Sequence, residues 1–253
     1  MRKRTGQPQN MNYKILLFLA LFIGIPSFGQ KKYLFDYMME YDFKYTDTSR
    51  VRKKIVLTNS KDNSYILTVS EKDSLNFQLD FLDINGIQFI VYLDKKSFIK
   101  AESISIKCDF IWVSDCISNF KPKKNRFINK SDTLVDSEYY PHYILKSNDP
   151  KREKRKKLGT RHFIIEKNTP FHLPILNLLT PMDYNEWKLE KNIPNGILKE
   201  MFSETYRSNN CFNFHKLKQF AKINKYVIIP EECDYTKPEV IKKRFSSIKV
   251  YIE

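Results

Sequence analysis

The sequence predicts an α+β fold: a curved antiparallel β-meander sheet of about eight strands, with helices and a last β-strand at the C-terminus. Three observations predict it. Apolar and polar residues alternate through most of the first 110 residues or so, the pattern of strands with one buried face. Turn-forming clusters separate these runs at spacings of roughly 10 residues, as in strands joined in sequence. In the last third the period lengthens to that of helices.

The chain opens on a segment of another kind. Ile15 to Ile25 (ILLFLALFIGI) is an apolar run of about 11 residues, preceded by Lys14 and, further upstream, by Arg2, Lys3 and Arg4. At about 1.5 Å per residue it is too short for a ~30 Å hydrocarbon core, and it fits the apolar part of a secretory signal peptide. Pro26 ends it, and Ser27 and Gly29 place small residues at the −3 and −1 positions of a cut before Gln30. Met11 is an alternative start, and the absence of Cys at the cut argues against a lipid anchor. The expectation is an exported protein, periplasmic or secreted. Residues 1–29 would be removed, and residues 30–253 would form a single domain, with no membrane-spanning segment.

The meander is expected over residues 31–167. The stretch KKYLFDYMMEYDFKYTD places Tyr33, Phe35, Tyr37, Met39, Tyr41, Phe43 and Tyr45 on one face of a first strand. Ile55-Leu57, Tyr65-Leu67-Val69, Leu75-Phe77-Leu79-Phe81 and Ile87-Phe89-Val91-Leu93 continue the alternation, implying a sheet with one apolar and one wet face. Asn85-Gly86 is the strongest hairpin signal, because both residues tolerate positive φ. Ile104 to Trp112 reads as one strand, KPKKNRFINK from Lys121 to Lys130 as a basic loop, and Tyr139 to Leu145 and Arg161 to Ile165 as further strands. Between the last two, DPKREKRKKLG reads as a solvated hairpin connection.

Residues 168–195 contain Pro170, Pro174, Pro181 and Pro194, so an irregular crossover is expected there. In 196–253, Ile197, Leu198, Met201, Phe202 and Tyr206 fit one helical face, and Phe214, Leu217, Phe220 and Ala221 a second. Tyr226 to Ile229 reads as a buried strand ended by Pro230. Thr236 to Phe245 reads as a capped short helix, and Ile248, Val250 and Ile252 as the last strand.

The whole chain carries a net charge of +15. Loss of residues 1–29 removes four basic and no acidic residues, leaving 40 basic against 29 acidic, or +11. That balance favours anionic partners such as an envelope surface. Export argues against intracellular nucleic acid, and the 151–157 run has almost none of the aromatic interleaving that single strands stack on.

Cys108, Cys116, Cys211 and Cys233 form an even set, which in an exported chain predicts disulfides with three connectivities open. As one extended strand, Cys108 and Cys116 would stand about 26 Å apart, so that pair needs a turn near Val113-Ser114-Asp115. Cys211–Cys233 needs only a helix folding back on the strand after it. Free buried thiols are the alternative.

Two features carry the functional expectation. The aromatic stripe is either ordinary core or the wall of a site for a lipid or other apolar or amphiphilic ligand. Lys151, Arg152, Lys154, Arg155, Lys156 and Lys157 are either a solvated loop or an anion-binding rim, as are Lys121, Lys123, Lys124, Arg126 and Lys130. No H-E-x-x-H, G-x-S-x-G or Gly-rich phosphate loop is present, so neither cofactor nor metal is expected and an enzyme is disfavoured. His142 and His162 would face each other across the basic hairpin. A structural or protein-interaction module is the alternative, and an unrecognised hydrolase near these histidines a more distant one. Asp73-Ser74-Leu75 and Asp132-Thr133-Leu134 resemble a short bacterial O-glycosylation acceptor motif, and also ordinary turn chemistry.

The combined plan resembles exported β-sheet proteins of the LolA-like half-barrel type, and is similar to the small GLPGLI group of secreted proteins. It consists of a cleaved signal, an aromatic first strand, a meander and a Pro-rich late segment. The likeness covers roughly residues 31–180 and lies in architecture. The GLPGLI signature is absent, its nearest counterpart being Pro170-Phe171-His172-Leu173-Pro174-Ile175-Leu176. No functional residue carries over.

Overall fold

The aromatic stripe folds as β1 (Lys31–Thr46), the strand around which the sheet is organised. The computed structural model describes residues 30–46, 48–113, 125–169, 172–174, 184, 194–206, 211–234 and 236. β1 is followed by β2 (Arg52–Asn59), β3 (Asp62–Glu71), β4 (Asn76–Asp83) and β5 (Ile87–Asp94). A short helix α1 (Lys95–Lys100) leads to β6 (Ser103–Ser105) and β7 (Ile111–Val113). Then come β8 (Asn125–Val135), β9 (Glu138–Ser147), helix α2 (Pro150–Lys156), β10 (Thr160–Ile165), β11 (Leu198–Glu204) and β12 (Cys211–Ile229).

These twelve strands among the described residues form one open, mostly antiparallel sheet in the order β7-β5-β4-β3-β2-β1-β12-β11-β10-β9-β8, with β6 added parallel to the end of β12. The expectation of about eight strands is therefore too low. The meander itself is as expected, and the Asn85-Gly86 turn closes with Gly86 at φ 108 and its N–H on the Asp83 carbonyl.

The main correction lies in the last third. Ile197–Tyr206 and Phe214–Ala221, expected as helices, belong to β11 and β12. Bulges account for the misreading, since an extra residue in a strand breaks period 2 and creates helix-like spacings. In β11, Leu198 and Glu200 face the adjacent residues Ile165 and Ile164, so the buried Leu198 and Met201 stand three apart. Between Phe35 and Tyr37, β12 runs from Lys225 to Lys222 and so carries one extra residue; a second such shift lies at Glu40/Tyr41.

Ile104 to Trp112 is not one strand: β6 and β7 are separated by a 3₁₀ turn at Cys108–Phe110. Asn125 to Lys130 of the expected basic loop is strand, part of β8. Residues 1–29, 121–124 and 237–253 lie outside the described residues. They hold the signal segment, part of the first basic tract, most of the late helix and the last expected strand.

The sheet does not keep a wet face at its centre. Leu57 and Leu67 join one buried cluster, whereas their neighbours Val56 and Ile66 join another, so both faces of β2 and β3 are covered. Phe98 of α1, Ile104, Val227 and Ile229 close the first cluster. Leu173, from the Pro-rich segment, and Ile197 close the second. Leu173 is held there by its N–H on Asn63 Oδ1 at 2.8 Å.

Candidate functional site

Along β1 the stripe divides. Tyr33 and Phe35 sit in the first cluster, in edge-on contact with Phe81 at 4.7 Å and Tyr65 at 5.5 Å respectively. The Tyr33 hydroxyl donates to Asp83 Oδ2 at 2.6 Å, and burial, then the Asp83 charge, raises the phenol's pKa. Met39 and Tyr41 are buried in the second cluster with Tyr37 packed against it, and the Tyr41 hydroxyl donates to the Leu198 carbonyl at 3.0 Å. The change of cluster coincides with the register shift between Phe35 and Tyr37, where a bulge re-aims side chains. Only the end of the stripe emerges: Phe43 is half-buried and Tyr45 is 62% exposed.

Phe43 and Tyr45 emerge among cations. Residues opposite each other in a ladder share a face, so the pairs Phe43–Arg52 and Tyr41–Lys54 set two basic side chains beside the rings. Lys54 Nζ lies 5.2 Å from the centre of the Phe43 ring. A cleft of about 880 Å³ opens here, lined by Phe43, Arg50, Arg52, Lys54, Lys72 and Lys95 among others. A second hollow of about 460 Å³ shares Phe43, Arg50 and Arg52 and adds Tyr45 and Ser49.

The nearby carboxylates are engaged. Glu71 pairs with Lys95 at 2.8 Å, Glu40 with Lys53 at 2.7 Å, and Asp73 accepts from the backbone N–H groups of Leu75 and Asn76. Arg50 and Arg52 form no ion pair among the described residues, so the cleft is net positive. Burial lowers the Lys54 pKa, with the Asp80 charge opposing. His215, fully buried against Phe43 with ring centres 4.7 Å apart, is pushed down to about 4 by burial and then by Lys54. The ring that Phe43 rests on is therefore a neutral imidazole at neutral pH.

The expected rim lies at the same end of the sheet. Asp149 caps α2 through the N–H groups of Lys151 and Arg152, and Lys157, at φ 50, ends it. The basic tract is thus a helix of about two turns set within the β9–β10 connection, with Lys154, Arg155 and Lys156 in its last turn. Arg152 Nη1 donates to Asn125 Oδ1 at 3.1 Å and Ser147 Oγ at 3.3 Å. A hollow of about 230 Å³ beside it includes Arg152, Arg161, Leu145, Glu204 and Phe212 in its lining. Phe212 in turn lies 6.3 Å from Tyr45 between ring centres, so aromatic contact joins the stripe's end to this second basic surface.

Sequence reasoning missed Arg50, Arg52, Lys54 and Phe212. The run Arg50-Val51-Arg52-Lys53-Lys54 is as basic as the tracts singled out, and its place at the start of the strand after Phe43 was the available signal.

The disulfide joins Cys108 to Cys233, across 125 residues and a Cα–Cα distance of 5.0 Å. Cys211 takes no part in it, since the helix that would have folded it back towards Cys233 is the continuous strand β12. Over 18 residue steps its ends stand about 60 Å apart. Cys116 lies outside the described residues. Cys108, Glu232 and Cys233 cluster, but the two sulfurs are bonded to each other and offer no metal site. Asp73-Ser74-Leu75 forms the exposed β3–β4 turn, and Asp132-Thr133-Leu134 lies within β8.

No protein-family description matches the chain, and no curated protein matches it. Among solved structures, it aligns with a domain assigned to outer membrane lipoprotein sorting, from Vibrio parahaemolyticus. The TM-score is 0.27 and the identity 11%, over 82% of this chain and 91% of that one. No helix among the described residues is long and apolar enough to cross a membrane.

Proposed function

We propose that the protein is an exported, non-enzymatic envelope protein that binds an anionic amphiphile where the stripe of β1 leaves the core. One observation carries this reading: the face of β1 that buries Met39 and Tyr41 continues in unshifted register with β2 to Phe43, which lines the cleft with Arg50, Arg52 and Lys54 and shares Arg50 and Arg52 with the adjoining hollow of Tyr45. An apolar surface that ends in a cluster of basic side chains fits a ligand with an apolar body and an anionic head. Tyr33 and Phe35 serve this reading as the packed base of the sheet, while Phe43 and Tyr45 meet the ligand.

Titration with oleate against its uncharged alcohol tests it. The acid binds with micromolar affinity and the alcohol at least tenfold more weakly. Arg52→Glu removes the preference for the acid, and Phe43→Asp abolishes both. Equal binding of both lipids by the wild type, or none, overturns the reading and favours an interaction module instead. The intact mass of the protein recovered from its host checks the export half, through loss of residues 1–29.

A further inference from the structure

On the side of the sheet carrying Tyr140, Ile164 and Phe202, two histidines meet in a geometry that the binding cleft does not use. His142 of β9 stands opposite Ile164, and His162 of β10 opposite Ile144, so the two are diagonal neighbours on one face. His142 Nε2 lies 3.0 Å from His162 Nδ1. Two imidazole nitrogens this close share a single proton. The other nitrogen of His162 faces a carboxylate: Nε2 lies 3.2 Å from Glu204 Oε2 on β11, is buried, and makes no directed hydrogen bond among the described residues. Glu204 is the acceptor nearest that nitrogen, and a proton held on Nε2 leaves Nδ1 as a lone pair on the side of His142.

We infer that His142 Nε2 and His162 Nδ1 form a cross-strand binding site for a borderline-soft divalent transition ion, zinc being the probe of choice, with Glu204 as the outer carboxylate orienting His162. Tetrahedral zinc with bonds of about 2.0–2.1 Å holds two nitrogens about 3.3 Å apart, so the pair opens by only about 0.3 Å. His142 carries its proton on Nδ1 instead, and no net proton is released. The carboxylate–imidazole–metal arrangement is the one that fixes ring orientation and raises ligand basicity. The rings are already ordered, with His162 stacked on Phe202 at 4.4 Å and 12° and on His142 at 5.2 Å. Lys130, paired with His142 across β8 and β9, is the opposing charge.

Calorimetric titration with zinc of the untagged protein carrying Cys116→Ser and Cys211→Ser decides the matter, since that background removes both cysteines outside the Cys108–Cys233 bridge as competing ligands. One equivalent binds with micromolar affinity. His142→Ala and His162→Ala each weaken it at least a hundredfold, and Glu204→Gln tenfold to a hundredfold. Lys130→Gln, at an exposed position that cannot unfold the sheet, tightens it severalfold. Absence of zinc binding in that Cys116→Ser/Cys211→Ser protein overturns the inference, as does equal affinity in Lys130→Gln and in either well-folded alanine variant.

Discussion

Asp83 is buried at the β4–β5 hairpin, where it accepts from the Tyr33 hydroxyl at 2.6 Å, from Asn85 N and Nδ2 at 2.8 Å, and from Lys31 at 3.3 Å. Replacing it by Ala leaves a buried phenol and a turn without their acceptor. A loss of about 2–4 kcal/mol is expected, read as a lower urea midpoint with an unchanged slope. His215 gives a pH signature. Its ordinary value is 6.5 and its folded value about 4, so between these the unfolded chain holds a proton that the folded chain does not. Its contribution is complete above about pH 6.5. It declines by about 1.4 kcal/mol per pH unit as pH falls, and is gone below about 4. His215→Phe keeps the ring against Phe43 and should flatten the stability profile between pH 4 and 6.5 relative to wild type. Parallel profiles would show that the imidazole does not resist protonation. At this scale Asn85-Gly86 was legible because it is local chemistry, whereas the burial of His215 was not, because its neighbours come from β1, β2 and β11.

At the scale of elements, β1 to β5 were legible because their registers run without a shift over most of their length, leaving alternation intact in the sequence. β11 and β12 were not. In β12 the buried His215 and Leu217 do alternate, as do Lys225, Val227 and Ile229, but Phe214 and Phe220 fall outside these sets and supply a false helical period. Tertiary pairing with β1 decided the outcome. The same strand explains the disulfide. Its far end must be fixed against the loop after β6, and Cys108–Cys233 does so while closing 125 residues. On loop entropy alone that is worth about 5 kcal/mol as an upper bound. Cys108→Ser with Cys233→Ser should therefore lose about 3–5 kcal/mol, most of it recovered in the wild type when reductant is absent. Equal urea midpoints for oxidised wild type and the double variant would mean that β6 and β12 hold together without the bridge.

For the whole molecule, antiparallel order has a consequence no single element carries. The C-terminal ends of β1, β3, β9 and β11 and the N-terminal ends of β2, β10 and β12 lie at one end of the sheet, which brings Arg50, Arg52 and Lys72 to the same side as Arg161 and α2. The excess of positive charge read from composition is thus concentrated where the stripe emerges. A basic residue near an anionic bilayer contributes about 1 kcal/mol. Lys154→Glu with Arg155→Glu should then weaken binding to vesicles rich in phosphatidylglycerol by about 2 kcal/mol or more, roughly thirtyfold. The loss should shrink as salt rises from 0.1 to 1 M and the screening length falls from about 10 to about 3 Å. Arg50→Glu with Arg52→Glu should act similarly, and because the two pairs share no partner their free energies should add in the fourfold variant. Additivity would mean that cleft and helix face the bilayer in one docked orientation, presenting Tyr45 between them. If the helix pair proves silent while the cleft pair retains its effect, the positive charge of α2 keeps the protein soluble and the cleft meets its ligand away from the membrane plane.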